Sequence, residues 1–204
     1  MTIVVATRNR KKVDEIRRIL EGSVVSLLTL DDFPGCPAVV EDGQTFEENA
    51  VKKAVAVARY AGQTALADDS GLEVDALGGA PGVLSARYAG DDAEDCMNLT
   101  KLLDDMRSVG DAERRARFIC CVALASPDGR ARTFVGAVEG SLGRAPRGSR
   151  GFGYDPVFYP IGEIRTFAEM CDGEKDAISH RGRALRAVRR YLTGEPEQPL
   201  GQGE

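Results

Sequence analysis

A chain of 204 residues, 43% of them hydrophobic, has material for a sizeable core in one domain or two small lobes. A formal net charge of −5 excludes a general binder of nucleic acid or anionic membrane, which needs a broad excess of Lys and Arg. Any anionic ligand must therefore meet a local basic cluster, and 23 glycines, above the roughly 7% of an average protein, mark the tight turns where backbone can approach it.

The N-terminus, MTIVVATRNRKK, places a short apolar run before its charges and reads as neither signal peptide nor membrane span, as expected of a soluble cytoplasmic protein. Ile3 to Ala6 predicts a strand, and Val13, Ile16, Ile19 and Leu20 predict one face of the helix that follows. A second strand is expected over Val24 to Leu30, then a long loop from Asp31 to Gln44 with two prolines and two glycines. Thr45-Phe46-Glu47-Glu48 has the spacing of a capping box and opens a helix to about Tyr60, with Lys53 beside its apolar stripe.

Thr64 to Ala67 reads as a buried strand that Asp68-Asp69-Ser70-Gly71 interrupts before Leu72 to Ala76 continues extended. Asp91 and Glu94 announce a helix to about Met106, and Phe118 to Ala125 pairs with Thr133 to Val138 across Ser126-Pro127-Asp128-Gly129 as a hairpin. A final helix is expected from Ser179 to about Leu192. The alternation of strands and helices, followed by a hairpin, predicts an α/β fold with an elongated mixed central sheet. Residues 1–193 form one two-lobed domain on this reading, and 194–204 a polar, disordered tail. Cys36, Cys96, Cys120, Cys121 and Cys171 are odd in number and lack metal-ligand spacing, so they read as reduced, small buried residues.

Several segments carry chemistry. Asp68 and Asp69 at the end of a buried strand call for compensation, which a divalent cation supplies, or else form an exposed acidic turn. Glu41 is the better second ligand than Glu48, whose carboxylate is accounted for by the helix cap. Thr7-Arg8-Asn9-Arg10-Lys11-Lys12 leads into a helix N-terminus, where N–H groups and the dipole favour phosphate, although the glycine frame of a Walker A loop is absent. Phe152 or Tyr154, among Gly151 and Gly153, is placed to stack on a flat ring, with Asp155 accepting N–H groups. His180, the sole histidine, is a poor metal signal and makes better sense, with Arg181, as a donor to a purine oxygen.

Taken in order, Thr7-x-Asn9-x-x-Lys12, Glu41-Asp42-Gly43-x-Thr45-Phe46-x-x-Asn49-Ala50 with Lys53, Ala67-Asp68-Asp69-Ser70-Gly71-Leu72, Leu77 to Gly82 with Ser85-Ala86-Arg87-Tyr88, Gly151 to Pro156 and Ala177 to Gly182 resemble the inosine/xanthosine triphosphate pyrophosphatase family. The resemblance implies two lobes around a nucleotide cleft, a homodimer, and Mg²⁺-dependent cleavage of inosine and xanthosine triphosphates to monophosphate and pyrophosphate. It implies Asp69 as general base and, with Glu41, as Mg²⁺ ligand. Substrate contacts carried over are Thr7, Arg8, Asn9, Arg10, Lys11, Lys12, Lys53, Ser70, Phe152, Gly153, Tyr154, Asp155, Lys175, His180 and Arg181. Among these, Thr7, Asn9, Lys12, Lys53 and Lys175 are expected to neutralise the triphosphate. An aspartyl-nucleophile phosphatase fits less well, since no Asp-x-Asp follows the first strand. A pyrophosphatase for modified pyrimidine nucleotides and a non-enzymatic nucleotide-binding module are the competing functions.

Overall fold

A computed structural model describes residues 1–23 and 25–195; Val24 and the tail beyond 195 lie outside the described residues. Strands β1 (Thr2–Val5), β2 (Ser26–Thr29), β3 (Ala65–Val74), β4 (Arg115–Ala125), β5 (Ala131–Leu142) and β6 (Phe158–Pro160) form one sheet in the order β2-β1-β3-β4-β5-β6. The β2, β1 and β3 pairings are parallel and those from β3 to β6 antiparallel, so the sheet is mixed as expected. Helices α1 (Arg10–Leu20), α2 (Phe46–Ala61), α3 (Asp95–Asp105), α4 (Asp172–Ile178) and α5 (His180–Thr193) flank it, α4 and the short β6 being unforeseen. No helix among the described residues is long and apolar enough to cross a membrane.

The anticipated interruption at Asp68-Asp69-Ser70-Gly71 does not occur. β3 runs through it, with Asp68 opposite Val122 and Asp69 opposite Cys121 on β4. Cross-strand pairing along all of β3 supplies the backbone hydrogen bonds that a turn would forfeit, and it overrides the turn preference of Asp, Ser and Gly. Strand alternation then sends the two acids to opposite faces of the sheet. On the face of Asp68, α1 residues Val13, Ile16 and Leu20 and α5 residues Ala184, Leu185 and Val188 pack over Leu66, Cys120 and Val122. On the face of Asp69, Ala50, Ala54, Val57 and Ala58 of α2 cover Ala65, Ala67, Cys121 and Ala123. A third core, with Leu72, Phe118, Val138, Phe158 and Phe167, fills the distal half.

Local caps explain where the helices begin. The Asn9 side chain accepts the Lys12 N–H at 3.2 Å and starts α1, and Thr45 accepts the Glu48 N–H at 3.1 Å and starts α2. The second half of the expected capping box is displaced by one residue, because Glu48 accepts from the Gln44 N–H at 2.7 Å rather than from Thr45. All five cysteines are free, but Cys96 and Cys171 are exposed, so only Cys36, Cys120 and Cys121 fit the buried reading.

The N-terminus of α5 lies hard against β5 because position 136 has no side chain. A Cβ there would collide with the His180 carbonyl oxygen and the Ala184 nitrogen, both fixed in helical backbone. Gly136→Ala is expected to lower stability by about 1–3 kcal/mol through overpacking, read as a reduced midpoint in thermal denaturation. A wild-type midpoint would show that α5 can shift away without loss.

Candidate active site

The parallel part of the sheet ends early. Val5, the last residue of β1, pairs with Leu66, so β3 continues past it and leaves Asp68 to Gly71 flanked on that side by the loop Ala6 to Asn9. A cleft of about 380 Å³ opens there, bounded by Thr7, Asn9, Lys12, Lys53, Asp69 and Ser70 at one end and Phe152, Asp155, Lys175, His180 and Arg181 at the other. Crevices beyond the carboxyl ends of parallel strands are where open α/β sheets bind ligands.

Beneath the cleft lies a buried ion network whose centre, Arg181, is 1% exposed. Its Nε and Nη2 donate to Asp68 Oδ2 at 3.2 and 3.0 Å, Nη2 also donates to Ser70 Oγ at 2.8 Å, and Nη1 donates to Glu15 Oε2. Lys175 Nζ donates to Glu15 Oε1 at 2.9 Å and to Asp155 Oδ2 at 2.5 Å, and Lys12 pairs with Asp68 at 3.0 Å. Three cations thus face three carboxylates. Burial by itself would raise the Asp68 and Glu15 carboxyls, but Lys12 and Arg181 at Asp68, and Arg181 and Lys175 at Glu15, outweigh it and hold both groups below their ordinary range. Asp155 is raised by burial, which its share of Lys175 only partly offsets.

Asp69 is placed differently. Asn49 on α2 donates to its Oδ2 at 3.0 Å and accepts the Gly43 N–H at 2.8 Å, tying the carboxylate to the loop that carries Glu41. An added Cβ at Gly43 would lie 2.7 Å from Asn49 Oδ1, so this approach requires glycine. Lys53 Nζ lies 2.6 Å from Glu41 Oε2 and 4.0 Å from Asp69 Oδ1, between the two acids. Burial raises the Asp69 carboxyl above its ordinary value despite Lys53, Lys12 and Asn49. One such group beside a strongly ionised neighbour is the arrangement of a base next to an electrostatic anchor.

Several sequence-derived assignments change. Thr7, Arg8, Asn9 and Lys12 border the cleft, but Arg10 faces a separate small cavity with Arg17 and Asp31, and Lys11 stands at the rim. Arg8 donates to the Cys36 carbonyl at 2.7 Å, and Asn9 caps α1. Lys175 lies beside Phe152, 4.8 Å from the ring centroid. Tyr154 is buried in the distal core with its hydroxyl on the Ser85 carbonyl at 2.8 Å, which leaves Phe152 as the ring available for stacking. Arg181 has Nε, Nη1 and Nη2 all committed inside the protein, so it is an anchor rather than a free donor. His180 stacks on Phe118 at 4.7 Å, its Nδ1 has no partner, and burial with Arg181 and Lys175 nearby keeps it neutral.

Glu15, Asn49 and Asp95 were not among the sequence-derived candidates. Glu15 reads as a surface acid of an amphipathic helix, and only the approach of α4 and α5 to α1 buries it. Asn49 lies in the Glu41 to Lys53 motif, four residues from Lys53 on one helix face, and that i, i+4 spacing is its signal in the sequence.

This arrangement has close counterparts. Residues 3–191 match the Ham1 family. The dITP/XTP pyrophosphatase of Geobacter sulfurreducens is 53% identical over 93% of this chain and 96% of its own, and that of Syntrophobacter fumaroxidans is 55% identical over 92% and 80%. Among solved structures, a HAM1 protein from Coxiella burnetii is 41% identical with a TM-score of 0.87, over 95% of this chain and 99% of its own. A nucleoside-triphosphatase / dITP/XTP pyrophosphatase from Mycobacterium abscessus is 47% identical with a TM-score of 0.75, over 92% and 98%. Since the match runs from the first strand to the last helix and takes in every wall of the cleft, the chain belongs to the Ham1 family.

Proposed function

We propose that this protein hydrolyses noncanonical purine nucleoside triphosphates, those of inosine, deoxyinosine and xanthosine, to the monophosphate and pyrophosphate, as a cytoplasmic homodimer. The carrying observation is the polarity of the cleft. At one end Asp69 and Glu41 converge on Lys53 beside Lys12 and the loop before α1; at the other Phe152 lies against Lys175 and Asp155. A triphosphate suits the first end and a flat base the second. The names of the relatives in Geobacter and Syntrophobacter support the choice of substrate.

The residues at the acidic end suit Mg²⁺. Asp69 and Glu41 offer hard oxygen donors, and against the single charge of Lys53 they leave one net negative charge. Two protein carboxylates within reach of each other suit Mg²⁺, whose remaining ligands would be water and substrate phosphate oxygens. When bound, Mg²⁺ would supply polarisation of the phosphate oxygens and neutralisation of their charge.

The chain's own groups do the rest. Asp69 takes a proton from the attacking water as its oxygen bonds to phosphorus, the bridging P–O bond between the α and β phosphates breaks, and pyrophosphate leaves. The raised Asp69 carboxyl makes a stronger base than an ordinary carboxylate. Lys12 and Lys53 stabilise charge that develops on the leaving group. Asn49 orients the base. At the other end, hypoxanthine presents a 6-oxo acceptor and an N1–H donor, and adenine reverses both. His180, whose Nδ1 has no partner in the protein, donates to that oxygen, and Asp155 accepts from N1–H. A site that matches one pattern rejects its inverse by about 10⁴-fold or more.

Asp69→Asn is expected to lower turnover of inosine triphosphate by about 10²–10⁴-fold with substrate still bound. The check is pyrophosphate release with Mg²⁺, alongside nucleotide titration; absence of release by the wild type would overturn the proposal. Asn49→Ala, which leaves Asp69 in place but unguided, is expected to cost about 10–100-fold in kcat with little change in KM. A rise in KM alone would instead place Asn49 in substrate binding.

A further inference from the structure

Asp95, in the first turn of α3, is hydrogen-bonded both to the phosphate loop, Thr7 to Lys12, and to the aromatic loop, Gly151 to Pro156. Its Oδ2 accepts from Lys11 Nζ at 3.3 Å and from the Gly153 N–H at 3.1 Å. Lys11 in turn stands 5.6 Å from the Phe152 ring centroid. Asp95 therefore fastens the cationic wall of the cleft to the wall that carries the stacking ring. Its place in the first turn also suits the dipole of α3, but that accounts for neither contact across the cleft.

The contact is exposed and open to competition. Lys12 and Lys53 are committed to carboxylates on the cleft floor, whereas Lys11 has 57% of its side chain exposed and Asp95 as its one acceptor among the described contacts. A phosphate group entering the cleft offers Lys11 more charge and more acceptor oxygens than one carboxylate does. We propose that Asp95 is a positioning residue that occupies Lys11 in the free protein, competes with substrate and product phosphates for it, and so limits affinity and speeds pyrophosphate release. This rests on the function proposed above. It also fixes a sign: loss of Asp95 tightens phosphate binding, while structural damage weakens it.

The test is calorimetric titration of the full chain with inorganic pyrophosphate and Mg²⁺ at low and high ionic strength, for the wild type, Asp95→Asn, Asp95→Ser, Lys11→Met and Asp95→Asn/Lys11→Met. Asn keeps an oxygen for the Gly153 N–H and removes the charge; Ser guards against a misfit of the amide. Exposed ion pairs of this kind support an expected gain of about two- to fivefold in affinity for both single variants at Asp95, shrinking at high salt. In the Lys11→Met background the Asp95→Asn substitution is expected to change affinity far less. KM for inosine triphosphate should fall in Asp95→Asn, with kcat unchanged or, where product release limits it, lower. Unchanged or weaker binding in a variant with a wild-type thermal midpoint overturns the assignment, as does an equal gain without Lys11. If the wild type binds pyrophosphate and Asp95→Asn binds it tighter, yet no inosine triphosphate is hydrolysed, the proposed function fails and the role of Asp95 stands. If hydrolysis is present and the gain is absent, only the role of Asp95 fails. A wild type that binds no pyrophosphate overturns the role of Asp95, while the proposed function is decided by pyrophosphate release.

Discussion

A guanidinium buried to 1% exposure is tolerable only if every charge around it is matched, and that condition at Arg181 organises the cleft. Its partners come from α1, β3 and, through Glu15 and Lys175, from α4 and the aromatic loop. Removing one carboxylate from such a network leaves an uncompensated buried charge, at a cost of about 3–5 kcal/mol. The elements are therefore held in one relative position by electrostatics as well as by apolar contact. Arg181, with four hydrogen bonds to Asp68, Ser70 and Glu15, holds the floor of the cleft.

Continuity of β3 gives that floor its two functions. Because adjacent strand residues point to opposite faces, Asp68 falls among Lys12 and Arg181, and Asp69 falls beneath Asn49 and Lys53. Identical side chains one residue apart thus acquire opposite shifts, one held down by cations and the other raised by burial. A turn at this point, with both acids exposed, would erase the difference. Close backbone approaches hold the surrounding segments. A side chain at Gly71 would strike Ser85 Oγ and the Gly82 carbonyl, so the segment Gly82–Arg87 rests directly on β3 beside Asp69.

The walls of the cleft differ from its floor in burial. Floor pairs such as Lys175 with Asp155 have side chains below one-tenth exposure, whereas Lys11 and Asp95 are more than half exposed. Water weakens the second kind of pair and leaves the first strong. A ligand can exchange partners with the rim while the floor keeps its geometry, which is the division expected of a site that must bind, react and release.

Much of this was legible in the sequence. The 3.6-residue period of α1 and α5, the Thr45 cap, the β4–β5 hairpin and the order of six short motifs lead to a mixed α/β sheet, a family and a set of cleft residues, because each signal is local and each has a local cause. Asp69, Glu41, Lys53 and Phe152, from three of those motifs, line one cleft. What failed was whatever depended on contacts distant in sequence. Asp-Asp-Ser-Gly resembles a turn until β4 pairs with it, and Arg181 resembles a free donor until Glu15 and Asp68 surround it. Glu15 meets its partners across 160 and 166 positions of chain, a separation at which no periodicity or cap leaves a trace. The sequence by itself determined which residue types the cleft contains; only tertiary packing, by setting burial and partners, decided which are buried anchors and which stand at the rim.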